Sequence, residues 1–197
     1  MTGSDDRLTE YRAKRDFTGT PEPTGGRVRR GREPRFVIHL HDATSLHYDF
    51  RLEADGVLKS WAVPKGPSTD TRVKRLAVQT EDHPVEYADF EGVIPEGQYG
   101  AGTVIVWDRG TYRNLTRKDG KEVPLEQALR EGHLKVWLEG EKLHGGYALT
   151  RVLGNEHERW LLVKVKDEHA DGGEDPVKTR PESVRSGKTL AEIGTTL

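Results

Sequence analysis

The stretch from Phe36 to Glu53 constrains the fold most, because its second half alternates strictly between polar and apolar side chains. In an extended strand, successive side chains point to opposite faces of the sheet. The polar face would carry His47, Asp49 and Arg51. The apolar face would carry the residues between and after them, Tyr48, Phe50 and Leu52. The pattern therefore predicts a strand that packs against the core with one face and carries candidate functional side chains on the other.

A shorter alternation just upstream places His39 and His41 on a common side of a second extended segment. Two neutral imidazoles and one carboxylate, here His41, His47 and Asp49, can hold a divalent first-row metal and leave positions open for water or substrate. Arg51 adds a planar fork of donors that suits a phosphate oxygen beside such a metal. The simpler alternative is a set of polar residues on a solvated strand face.

Turn signals between alternating segments predict a series of antiparallel strands. Asp55-Gly56 joins the first two segments as a tight hairpin, and a turn at 108–110 is predicted to join a second pair. A strand over 75–80 is predicted to end in a loop that carries His83. One helix is predicted over Leu125–Glu131, between Pro124 and Gly132. About eight short strands with few helices predict a mainly β fold, a single-domain antiparallel β-barrel or closed sandwich with a few short peripheral helices.

Composition narrows the class of protein further. The 197 residues fit one domain with tails, and 33% hydrophobic against 32% charged residues indicate a modest core and many loops. The sequence shows no apolar run of membrane-spanning length and no secretory signal, so no membrane partner is expected. Without cysteine, disulfides and thiolate ligands are excluded, and a cytoplasmic location is favoured.

The charge balance argues against a protein that coats DNA without selectivity. The formal net charge is only −2, so any affinity for nucleic acid must be local. The best candidate for such a local patch is an arginine run just before the predicted metal site: Arg27, Arg29, Arg30, Arg32 and Arg35.

The motifs of this chain resemble those of a known family. The matching segments are 41–43, 46–53, 61–67, 81–84, 87, 90–95 and 99–102. They resemble the 3′-phosphoesterase domain of bacterial DNA ligase D and of its free-standing bacterial and archaeal homologues, over about Leu8 to Val165. One departure is His39, where the family usually carries Gln.

The resemblance implies a curved, barrel-like sheet whose crescent groove carries the site, and the composition of the two ends of the sequence indicates how the chain divides. We expect an N-terminal helix and flexible arm over 1–26, a phosphoesterase β-barrel domain over 27–166, and a polar flexible tail over 167–197.

The implied activity is metal-dependent healing of nucleic-acid 3′ ends in DNA repair. It removes a terminal 3′ ribonucleotide and a 3′-phosphate and leaves a 3′-hydroxyl, with Mn²⁺ or another first-row divalent metal as cofactor. The implied partners are primer-template DNA or RNA-tipped DNA 3′ ends, with a separate DNA ligase and polymerase of an end-joining system as further candidates.

The residues that would serve this activity fall into three groups. The implied catalytic residues are His83, Arg51 and Tyr87, with His83 as the proton donor. The implied phosphate-binding residues are Arg15, Asp16, Glu22, Lys65 and Arg75. The implied metal ligands are His41, His47 and Asp49, the set that strand alternation also favours.

Two other function classes stay open. One is a cupin-like metal enzyme, since His39-Leu40-His41 on a β-barrel matches a His-x-His metal motif, although no Glu follows at the short spacing that motif needs. The other is a non-catalytic DNA-end-binding module of a ligase and polymerase repair complex, which would bind DNA through the arginine run and need neither metal nor His41.

Overall fold

The computed structural model describes residues 7–26, 33–152 and 158–195. The predicted arginine run lies largely outside them, since only Arg35 is described. The α-helices are α1 Thr9–Ala13, α2 Leu125–Glu131, α3 Pro176–Thr179 and α4 Leu190–Gly194, and a 3₁₀ helix covers Val85–Asp89. The strands are β1 Arg35–Asp42, β2 Leu46–Ala54, β3 Val57–Val63, β4 Lys74–Pro84, β5 Gly92–Ile94, β6 Gly102–Asn114, β7 Arg117–Lys118, β8 Lys121–Glu122, β9 His133–Gly140, β10 His144–Val152 and β11 Arg159–Lys164.

Eight strands close into an antiparallel barrel. Their order is β1-β2-β3-β4-β11-β10-β9-β6, and β1 pairs with β6 to complete the ring, while β5 adds to the side of β6. The prediction of a mainly β fold with a few short helices is confirmed, and the barrel rather than the sandwich is correct. None of the helices in the described ranges is long and apolar enough to cross a membrane.

The hairpin between β2 and β3 was correctly predicted and sets the register of the site. Asp55 and Gly56 have φ values of 50° and 80°, the left-handed conformation that a two-residue hairpin turn needs. Ala54 therefore pairs with Val57, which brings Ser60 opposite Arg51.

Two strands run further than the sequence predicts. β4 continues through Pro84, so His83 lies on a strand opposite Leu58 and not on a loop. β6 is continuous over Gly102–Asn114, where a turn at 108–110 was predicted. The reason is that the buried Asp108 carboxylate accepts amide hydrogens from a different turn, at 141–143.

The segments flanking the barrel contact it closely. Tyr11 of α1 is fully buried, and its hydroxyl donates to the Pro23 carbonyl at 2.7 Å. In the C-terminal segment, Arg180 O accepts from Trp107 Nε1 at 2.7 Å and from Lys142 Nζ at 2.8 Å. The domain limits stay predictions. In both flanking segments, however, backbone carbonyls accept hydrogen bonds from buried donors, so these parts of the segments are packed on the barrel.

The core is divided by the barrel wall. The larger cluster fills the interior and includes Trp61, Trp107 and Trp160. A smaller cluster covers the outside of the wall, where Val37 packs with residues that include Tyr11 and Tyr87. Since His39 and His41 have the same strand parity as Val37, the chemical face of β1 points outward, beside this smaller cluster.

Candidate active site

The outer faces of β1 and β2 bring the predicted metal ligands together. In the antiparallel register His39 lies opposite Asp49, and His41 lies opposite His47. Oδ2 of Asp49 is 3.7 Å from Nδ1 of His41 and 3.4 Å from Nε2 of His47. One ligand atom from each of these three residues lies within 4.8 Å of the others, so the set can hold a metal ion.

Backbone carbonyls fix the two ligand imidazoles in the tautomers that metal binding requires. Nε2–H of His41 donates to Gly100 O at 2.8 Å, and Nδ1–H of His47 donates to Ser45 O at 2.9 Å. The other ring nitrogens, Nδ1 of His41 and Nε2 of His47, face Asp49, and they would offer their lone pairs to a bound cation. Metal-bound histidines are usually held in this way by a hydrogen bond from the other nitrogen. The donor set of two imidazoles and a carboxylate fits a first-row divalent cation.

Arg51 is buried beside this trio with its guanidinium held on three sides. Nη1 donates to Ser60 Oγ at 2.8 Å, Nε donates to His39 Nδ1 at 3.2 Å, and Nη2 lies 3.2 Å from Asp49 Oδ2. Burial alone would raise the pKa of Asp49, but Arg51 and hydrogen bonds from His41 and His47 outweigh it and hold that pKa well below its usual range. Asp49 is therefore ionised, as a metal ligand must be.

His39 orients Arg51 and is not part of the metal-ligand trio. Its Nε2–H donates to Phe90 O at 3.1 Å while Nδ1 accepts from Arg51. Complete burial, followed by the charge of Arg51, lowers the pKa of His39 to about 3, so the ring is neutral. A neutral imidazole offers one donor and one acceptor here, and the amide of a glutamine also has a donor and an acceptor.

We expect His39→Gln to make the fold less sensitive to acid. Because the folded pKa of His39 lies below its unfolded value, protons bind the unfolded chain preferentially below about pH 6.5, and stability falls as the pH falls. Between neutral pH and about pH 5 this proton binding should lower the free energy of unfolding of the wild type by ~2 kcal/mol, and the variant should not lose this amount. Urea unfolding at about pH 7.5 and about pH 5, in chelator, measures the difference. If the free energy of unfolding fell by the same amount in both proteins, the His39 ring would not be neutral in the folded protein.

The opposite wall of the site is built from Arg15, which follows α1, and from the end of β4. Nε of Arg15 donates to Glu22 Oε1 at 2.9 Å, and its guanidinium lies 4.0 Å from the ring centroid of Tyr11. The Tyr87 hydroxyl also donates to Glu22 Oε1, at 2.9 Å. Burial first, and then Glu22, raise the pKa of Tyr87 well above its usual value, so the phenol keeps its proton.

His83 stands between Arg15 and Tyr87, and its Nε2 accepts a hydrogen bond from Arg15. Nδ1–H donates to Glu81 O at 2.9 Å, and Nε2 lies 3.4 Å from Nη2 of Arg15. Burial, followed by the charges of Arg51 and Arg15, lowers the pKa of His83 well below its usual value. In the protein without a bound anion the ring is neutral, with its Nε2 lone pair facing a cation.

A cavity of about 290 Å³ connects the two walls. Most of the predicted site residues line it, and these are Arg15, His41, His47, Asp49, Arg51, His83 and Tyr87. The structure thus brings together all predicted metal ligands and catalytic residues, with one of the predicted phosphate-binding residues.

The other four predicted phosphate-binding residues do not line this cavity. Glu22 lies behind Arg15 and Tyr87, and as a carboxylate it would repel phosphate. Asp16 is exposed and accepts hydrogen bonds from Thr18. Lys65 is exposed beyond the end of β3. Arg75 shares its strand parity with the core residue Ala77, facing away from the cavity.

Residues of the site that were not predicted include Tyr11, Ser60, Glu81 and Tyr99. Ser60 could have been found, because the two-residue Asp-Gly turn fixes its pairing with Arg51. Glu81 accepts from Arg15 at 3.4 Å, a contact between segments 66 residues apart that no local pattern reveals.

Comparison with known proteins agrees with this geometry. Residues 39–151 match the description "DNA Ligase D 3′-phosphoesterase domain". The chain belongs to this family. It is 54% identical over 93% of its length to a multifunctional non-homologous end joining protein LigD of Pseudomonas aeruginosa. It is 48% identical over 83% of its length to a multifunctional non-homologous end joining DNA repair protein LigD of Mycobacterium tuberculosis.

The chain spans only about a fifth of the length of these relatives, 22% of the first and 20% of the second. The family that the motifs predicted is thus confirmed. This family is a phosphoesterase domain of proteins that act in non-homologous end joining.

Proposed function

We infer that this protein is a manganese-dependent 3′-phosphoesterase that heals nucleic-acid 3′ ends in DNA repair. It would remove a 3′-terminal ribonucleotide and a 3′-phosphate to leave a 3′-hydroxyl. The observation that supports this inference most is the meeting, in one cavity of a phosphoesterase-family chain, of a His-His-Asp ligand trio with two arginines and a buried histidine.

The chain's own residues would divide the work as follows. His41, His47 and Asp49 would hold the cation, which supplies positive charge beside a phosphoryl oxygen when bound. Arg51 and Arg15 would bind the other nonbridging oxygens, where negative charge is concentrated. His39, Ser60 and Glu22 would hold those guanidinium groups in place.

His83 would handle the proton. A bound phosphate would place negative charge beside Arg15 and Arg51, the two cations that hold the pKa of His83 down after burial. The phosphate would therefore raise that pKa and allow Nε2 to carry a proton. As the bond from phosphorus to the 3′ oxygen breaks, this proton would pass to the departing oxygen, and water would supply the new oxygen on phosphorus.

The deciding experiment uses duplex primer-templates that end in a 3′-phosphate or in one ribonucleotide. The purified protein should convert both ends to a 3′-hydroxyl in manganese and neither in chelator. A protein that binds these ends tightly but converts neither would support the other class, a non-catalytic end-binding module. The cytoplasmic location and the separate ligase and polymerase partners stay predictions.

We expect Arg51→Lys to lower kcat/KM on the 3′-phosphate primer by ~10²-fold or more, since an ammonium group cannot reproduce the two-pronged contact of a guanidinium. Lysine would also leave Ser60 or His39 without its present donor. Arg113→Lys is the matched control, because that arginine is exposed on β6 and does not line the cavity. Equal rates for both variants would remove Arg51 from the phosphate pocket.

A further inference from the structure

An exposed aromatic ring stands at the mouth of the cavity. Tyr99 keeps 48% of its surface accessible, although it lines the same cavity as the buried His41 and Asp49. In the described part of the chain, only Leu46 and Leu76 are comparably exposed large hydrophobic residues. The proposed chemistry at phosphorus makes no use of a ring in this position.

The backbone fixes this ring relative to the metal trio. Two hydrogen bonds close the turn over 95–101, from Gln98 N to Pro95 O at 3.2 Å and from Ala101 N to Gln98 O at 3.1 Å. The carbonyl of Gly100, the residue after Tyr99, accepts a hydrogen bond from the predicted ligand His41 at 2.8 Å. Tyr99 is thus held by a short, hydrogen-bonded turn attached directly to the metal site.

Two cations lie close to the ring of Tyr99. Lys14 Nζ and Arg15 Cζ both lie 5.2 Å from the centroid of Tyr99. The same groups contact the two oxygens of the Glu81 carboxylate, at 3.2 Å and 3.4 Å. Glu81 thus holds both cations near the ring, and 48% of the surface of Tyr99 stays accessible to a ligand. A cation at such a position can add a cation–π contact to a bound base.

Tyr99 marks the boundary between two chemical environments. A second cavity of about 550 Å³ shares Tyr99 and Glu81 with the first. Its lining includes the carboxylates of Glu10 and Glu158 and the ammonium group of Lys14, which lies 2.7 Å from Glu10. Carboxylates accept hydrogen bonds from the amino groups of a nucleobase, and an ammonium group donates to its carbonyl oxygens, so this mixed polar lining suits the hydrogen-bonding edge of a base.

We propose that Tyr99 stacks on the nucleobase of the nucleotide whose phosphate enters the metal cavity. This inference rests on the proposed function and narrows its substrate class to ends that carry a base. The ring of tyrosine can stack on any base, because every base has a π-face, so the contact would be tolerant of sequence.

The test is a binding cycle with two proteins and two oligonucleotides, in chelator so that no turnover is needed. Wild type and Tyr99→Ala are titrated with primers that end in a 3′-phosphate and carry either 2-aminopurine or an abasic site in the last nucleotide. Anisotropy of a distant label gives the Kd for both primers, and quenching of 2-aminopurine reports stacking. Trp137→Ala is the control, since Trp137 also stands near an arginine, at 5.7 Å from Arg113, but outside both cavities.

We expect Tyr99→Ala to weaken binding of the base-bearing primer by about tenfold and to abolish the quenching, with no change for the abasic primer. Tyr99→Phe should bind like wild type, because it keeps the ring. Equal losses on both primers, or none on either, would overturn the stacking inference and leave the proposed function intact. Wild type that binds neither primer in chelator would also overturn the stacking inference. Only a wild type that in addition converts neither end in manganese would make the proposed function fail with it.

Discussion

Chelation should abolish hydrolysis of a 3′-phosphate primer, and added manganese should restore it. The reason is the ligand trio, in which two imidazoles and an ionised carboxylate meet within 4.8 Å. Three protein ligands would leave positions on a bound cation for water or substrate. Magnesium should restore less activity, since it prefers oxygen ligands while imidazole suits softer cations. Initial rates across a metal series, after exhaustive dialysis against chelator, measure the effect.

The matched variant is His47→Ala, which should be folded but inactive. His47 is on β2, and its ring makes one hydrogen bond to the backbone, to Ser45 O at 2.9 Å, so its removal leaves the barrel core untouched. Titration calorimetry should show loss of manganese binding, a readout that does not depend on catalysis. His144→Ala, at an exposed histidine outside the cavity, should behave like wild type. Full activity of His47→Ala in chelator would refute the site assignment.

His83→Asn should lower kcat by ~10²- to 10⁴-fold, the usual contribution of a positioned proton donor. Asparagine carries an amide nitrogen near the position of Nδ1, so it can keep the hydrogen bond to Glu81 O while it loses the Nε2 position. The fold should therefore survive, and circular dichroism should match that of wild type.

The pH profile separates proton transfer from mere positioning. If protonated His83 is the acid in the substrate complex, kcat of wild type must fall as the pH rises past the pKa of His83 in that complex. His83→Asn should lack this alkaline limb at saturating metal. His144→Asn, the same change at an exposed position, should keep it. A His83→Asn variant that retains both the rate and the limb would show that His83 is structural and that another group carries the proton.

The sequence supplied much of this site because strand alternation and one tight turn are local properties. Alternation placed His47, Asp49 and Arg51 on one face, and the Asp55-Gly56 turn fixed the pairing of β2 with β3. The helix at Leu125–Glu131 was predicted with its correct limits, because Pro124 and Gly132 mark both ends.

What the sequence did not reveal depends on contacts between distant segments. β4 was predicted to end at Thr80, since nothing local indicates that Leu58 pairs with His83. The turn predicted at 108–110 does not form, because the Asp108 carboxylate satisfies amides more than thirty residues away. The position of Glu22 behind Arg15 and Tyr87 likewise requires the folded arm.

The outward-facing position of the ligands also bears on how the chain folds. His41 and His47 are directly opposite each other across β1 and β2, and the interior faces of the same strands form part of the barrel core. A slip of one residue would turn Tyr48 and Phe50 outward and the ligands inward. Only the native pairing assembles the trio, so a cation that binds it would favour that pairing over its misaligned competitors. Metal binding would then select the correct register of the hairpin formed by β1 and β2.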